Sequence, residues 1–91
     1  MAKIKKVIHS DSSHSWLAVK LSELKMLDIE TSISSFSRVK GKTAYLEEDC
    51  DAGVFIQAMK DKGIDVEVRE GPQRERSPIR YFKPYKSNSD K

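Results

Sequence analysis

The chain has 91 residues, of which 37% are hydrophobic and 34% charged, with a formal net charge of +3. That length sets one small domain with a modest core as the expectation. No apolar run approaches the ~18 residues of a membrane span, the start MAKIKKVIHS lacks the apolar stretch of a secretory signal, and the single cysteine, Cys50, leaves no internal disulfide, so a cytoplasmic protein is expected.

The charge is not spread evenly. Residues 1–46 carry a net +4, residues 47–68 a net −5, and residues 69–91 a net +4. Such a layout suits an internal electrostatic match as well as a polyanionic partner.

In chain order, residues 3–9 (KIKKVIH) read as a short edge strand whose lysines blunt an exposed edge. Residues 10–15 (SDSSHS) are a polar turn. Residues 16–21 (WLAVKL) alternate Leu17, Val19 and Leu21 against Trp16, Ala18 and Lys20, the period of a strand. Ser22 is a good N-cap for a short helix over 23–29 with Leu24 and Leu27 inward and Met26 a further candidate for burial. Residues 30–35 form a polar connection and 36–40 (FSRVK) a strand. Gly41 and Lys42 turn it into another strand over 43–48, a hairpin.

The centre of the chain is the most consistent stretch. Asp49 or Asp51 can cap a helix on which Ala52, Val54, Phe55, Ala58 and Met59 recur at helical spacing. Lys60 and Lys62 suit its last turn and Gly63 its left-handed stop. Ile64, Val66 and Val68 then alternate with Asp65, Glu67 and Arg69 as a strand buried on one face. Gly71 and Pro72 are read as breaking it. Residues 72–78 are polar, 79–85 (IRYFKPY) apolar and aromatic, and the tail 86–91 disordered.

Apart from the first strand, the order is βαββαβ. The predicted fold is α+β in two layers: a small, mainly antiparallel sheet with two helices on one face, ferredoxin-like with an extra N-terminal strand. Another ββαββαβ sheet-and-helix fold is the alternative. Residues 1–70 form the domain; the basic, aromatic segment 71–85 either packs on it or stays free.

Each reactive-looking cluster has a plain structural account. The run EEDCD has clustered carboxylates, but Glu47 and Glu48 point to opposite faces of a strand and the spacing is not that of a calcium loop. Helix capping accounts for it, so no metal and no cofactor are expected. Cys50 lies between Asp49 and Asp51, which disfavour a thiolate, although His9 and His14 are available as bases. Gly41-Lys42-Thr43 matches only the tail of a phosphate loop, whose earlier glycine is replaced by Phe36. Sheet-face RNA stacking of the RRM kind is disfavoured. Lys42 and Ala44 occupy the aromatic positions of that signature, and Glu47, Asp65 and Glu67 would repel phosphate.

The C-terminal segment has three readings. Arg74, Arg76, Arg80, Lys83 and Lys86 interleave with Tyr81, Phe82 and Tyr85, the charge-plus-stacking chemistry of single-strand binding. Alternatively Ile79, Phe82 and Tyr85 fold back over Trp16 and Tyr45, or the segment docks a partner protein.

On HSWLAV, ISSFS, YLEEDCDA and Phe55, residues 13–63, together with the SPIRYFKPY tail, resemble a set of short proteins from bacteriophages and their bacterial hosts that carry no established activity. The resemblance implies a phage or prophage origin and no catalytic residues. The expectation is an accessory protein that binds a host or phage protein and is not an enzyme. Trp16, Tyr45, Ile79, Tyr81, Phe82 and Tyr85 form the expected contact patch. Nucleic-acid binding through Arg74, Arg76, Arg80, Lys83 and Lys86 is the alternative. An open sheet edge at either end leaves monomer and homodimer both available.

Overall fold

The computed structural model describes residues 2–73 and 77–86. Its strands are β1 (Ala2–Ser10), β2 (Ser15–Lys20), β3 (Arg38–Lys40), β4 (Thr43–Glu47), β5 (Ile64–Gln73) and β6 (Lys83–Pro84). The helices are α1 (Leu21–Met26) and α2 (Ala52–Asp61), with short 3-10 turns at Glu30–Ser32 and Pro78–Tyr81. The strands form one six-stranded sheet in the order β5-β1-β2-β4-β3-β6, with β5 and β6 at its two ends, so it is not closed into a barrel. Among the described residues β1 and β5 run parallel, and the other pairings are antiparallel. The architecture is the expected small α+β one.

The period-two pattern decides which face is dry. Leu17 and Val19 of β2 and Ala44 and Leu46 of β4 lie on one face and are no more than 2% exposed. They cluster with Leu24 of α1 and with Phe55 and Met59 of α2, so both helices cover that face. Burying a side chain of this size contributes about 1.5–3 kcal/mol. The molecule is only 21 Å through its thinnest direction, the depth of one sheet and one helix layer.

Three expectations change. Residues 3–9 are not an edge: β1 lies inside the sheet between β5 and β2. In a ferredoxin-like sheet β2 and β5 would be neighbours; here β1 separates them. Its alternation supplies the reason, since Ile4 and Ile8 pack against the core while Lys3 and Lys5 occupy the other face.

The first helix begins and ends earlier than 23–29. Glu23 accepts the Lys20 backbone N–H at 2.8 Å and so caps a helix that starts at Leu21; Ser22 lies within it. The helix stops because Asp28 takes a left-handed φ of 57° and the Ile29 N–H returns to the Leu24 carbonyl at 3.0 Å, a Schellman closure. Gly63 ends α2 as expected, at φ 77°.

Gly71 and Pro72 do not break β5, which continues to Gln73 across a register shift opposite Ile8 and Ser10. A Cβ on Gly71 would stand 2.9 Å from Val7 Cγ1 and 3.2 Å from the Ile8 carbonyl oxygen. The glycine is there because the neighbouring strand passes too close for a side chain.

Candidate functional site

The sheet face away from the helices is partly covered by residues 77–82, and the candidate site forms where that cover meets the loop before β3. Asp11, in the turn between β1 and β2, anchors the cover. Its carboxylate accepts the backbone N–H groups of Ser13 and His14 at 2.9 Å, the Ser77 N–H at 3.1 Å and Arg80 Nε at 3.0 Å. Arg80 Nη2 also donates to Ser13 Oγ. Burial works against the Asp11 charge, but the amide donors of Ser13, Ser77 and His14 and the Arg80 guanidinium outweigh it. Together they hold the carboxyl well below the usual range.

A second anchor lies further along. The Tyr85 backbone N–H donates to the Ser37 carbonyl at 2.8 Å, and its hydroxyl to the Glu30 carbonyl at 2.7 Å. The Tyr85 ring belongs to the main core. Ser37, fully buried, is a junction: its hydroxyl donates to Asp51 and accepts the Glu47 N–H at 3.0 Å. Asp51 also accepts the Ser34 backbone N–H at 3.0 and 3.1 Å and its hydroxyl at 2.7 Å. Asp51 therefore stands at the N-cap of α2 without its side chain capping that helix, contrary to expectation. Its carboxylate instead folds the ISSFS turn. Asp49 does not cap it either, since the cap position is Asp51. That turn leaves Phe36 at its tip, 67% exposed.

Between the Phe36 turn and the cover lies a cleft of about 370 Å³. Trp16, His14, Arg38, Glu47 and Arg80 line it with Phe36 and Tyr81. The rings of His14 and Trp16 lie 5.7 Å apart. Arg38 Nη1 donates to the Phe82 carbonyl at 3.3 Å, while its Nε is buried and has no partner among the described residues. Glu47 offsets part of the arginine charge, and Asp11 already engages Arg80. Among the described residues the lining contains no serine, threonine or cysteine nucleophile. What it offers is flat aromatic surface beside a guanidinium.

A neighbouring groove of about 580 Å³ shares Tyr81 and continues along Phe82, Lys83, Pro84 and Lys86 to Lys40 and Gly41. Among the described residues no acidic one lines it. Lys40 Nζ sits 4.9 Å over the Phe82 ring, and Phe82 in turn lies 5.3 Å from the Tyr45 ring.

The residues singled out from sequence divide by burial. Trp16, Ile79 and Tyr85 are 2%, 4% and 5% exposed. Tyr45 and Phe82 are half-buried, and Tyr81 is 69% exposed. Lys83 and Lys86 are exposed, Arg80 is held by Asp11, and Arg74 and Arg76 lie outside the described residues, as does the tail after Lys86. Phe36, Arg38 and Asp11 were missed. Phe36 reads as a strand residue because FSRVK alternates, and only its place in the ISSFS motif marks it out. Cys50 is exposed, and its thiol is pushed up by partial desolvation and then by Glu47, Asp51 and Asp49. Among the described residues no group of three or more His, Cys, Asp or Glu comes together as a metal site would need, and no helix is long and apolar enough to cross a membrane. Comparison with family models, with curated proteins and with solved structures found no match.

Proposed function

We propose that this protein acts by binding another protein, without catalysis, and that Phe36 and Tyr81 are the centre of the contact. One observation carries the reading: two large apolar rings, 67% and 69% exposed, stand on separate elements along one cleft. A small domain that buries Trp16 and Tyr85 has no folding reason to leave both rings in water. Exposed aromatics beside an arginine are the chemistry of interface hot spots. Resemblance to short phage proteins makes the partner a host or phage protein and the setting the host cytoplasm, where a lone thiol stays reduced.

Nucleic-acid binding is the second reading, favoured by the neighbouring groove, where Lys40, Lys83 and Lys86 surround Tyr81 and Phe82 with no carboxylate among the described lining residues. The two readings separate by substitution. If a protein partner docks at the cleft, Phe36→Ala weakens capture of that partner about tenfold or more, as loss of a hot spot does, while Lys83→Ala leaves it unchanged. If single strands bind the groove, Lys40→Ala and Lys83→Ala weaken the complex and flatten its salt dependence, while Phe36→Ala does nothing. Undiminished capture of the protein partner by the Phe36→Ala, Tyr81→Ala double variant would overturn the first reading, and undiminished single-strand binding by the Lys40→Ala, Lys83→Ala double variant the second.

A further inference from the structure

We propose that the β5 edge is an interface for a second copy of this chain, paired antiparallel about a two-fold axis at Val68. β5 ends the sheet, and among the described residues β1 is its one neighbour. It is ten residues long with its proline, Pro72, near its end, whereas β6 at the other end has two residues, one of them Pro84. Long free edges are blunted by charge, and here the charges also match the strand to itself. Glu67 and Arg69 lie on one face, opposite Lys5 and Val7 of β1. Arg69 Nε bonds Glu67 Oε2 at 2.9 Å, and both side chains remain partly open to solvent at 57% and 35%. With the axis at Val68, Glu67 of each copy faces Arg69 of the other, twice. The existing pairs then join into a four-charge network, and Val68, 42% exposed, meets its own counterpart. Moving the axis by one residue sets Glu67 against Glu67 in one direction and Arg69 against Arg69 in the other, so the charges favour the register centred on Val68. A closed two-fold contact of this kind uses the same patch on both copies and stops at two.

Sedimentation over a concentration series, up to the solubility limit, tests this. The wild-type mass should rise from 10.4 kDa toward twice that value, and added salt should lower it. Glu67→Arg and Arg69→Glu each place like charges across the axis and should stay at the monomer mass at every concentration. Mixing the two variants restores both opposite-charge contacts, so the mixture should reach the doubled mass. Circular dichroism of each variant alone confirms that it is folded. A wild type that remains monomeric throughout, or a mixture that does no better than its components, overturns the proposal. This test is independent of the cleft and of what binds there.

Discussion

At the scale of single residues, two aspartates do work that their neighbours in sequence do not announce. Asp11 and Asp51 each turn a short polar stretch into a scaffold by accepting several donors at once. Asp11 fixes residues 77–80 from a turn at the other end of the chain. Replacing it with asparagine removes the charge that its donors address and should cost about 1–3 kcal/mol at neutral pH. The pH dependence follows from the lowered carboxyl. Its folded value lies below the ordinary 3.8, so the charged form stabilises the fold fully above that pH. This contribution declines as the pH falls below 3.8 and is gone once the folded carboxyl protonates. Melting temperatures of wild type and Asp11→Asn should therefore differ by a constant amount from neutrality down to about pH 4, and the difference should shrink steadily at lower pH. A difference that stays constant below about pH 4 as well would mean that the charge of Asp11 is not what holds the cover.

At the scale of elements, β5 is governed by what lies beside it. Gly71 sits where β1 bulges, and a methyl group there meets both Val7 and the Ile8 carbonyl. Gly71→Ala should cost about 1–3 kcal/mol in forced contacts, of which a stiffer unfolded chain returns about 0.4–1 kcal/mol. A fall of several degrees in melting temperature is expected; an unchanged or raised value would show that the bulge absorbs the methyl. The same strand shows why sequence reading stopped short. The alternation of Ile64, Val66 and Val68 made β5 legible, and the spacing of Phe55 and Met59 made α2 legible, because burial leaves a periodic trace. Gly71-Pro72 reads locally as a stop, and only the register of the adjacent strand shows otherwise. For α1, Ser22 was the better cap by residue type, but Glu23 reaching back to Lys20 moved the start to Leu21. In the site, charge and aromatic content marked residues 79–86. Which rings stay outside depended on Asp11 and Ser37, whose donors and acceptors come from distant parts of the chain and leave no local pattern.

At the scale of the whole molecule, sequence gave the two-layer α+β class but not the place of β1. Nothing in KIKKVIH states whether one or both of its sides will be paired. The structure places it in the interior, with Ser10 paired to Ser15 nearby and Ala2 paired to Ile64 far along the chain. That arrangement orders events in time. The hairpin with β2 closes a short loop, whereas β5 must first be made and brought back, and long-range parallel pairing is slow. Pulse-labelling hydrogen exchange during refolding should show β1 amides facing β2 protected early and those facing β5 late. Simultaneous protection would point to a single concerted step. Until β5 arrives, β1 is an unfinished edge, and Lys3, Lys5 and Lys6 are the residues it exposes. In the finished sheet Lys3 and Lys6 pair with Glu67 and Glu23; on the growing chain the same charges would repel another nascent copy during the interval when that edge could seed aggregation.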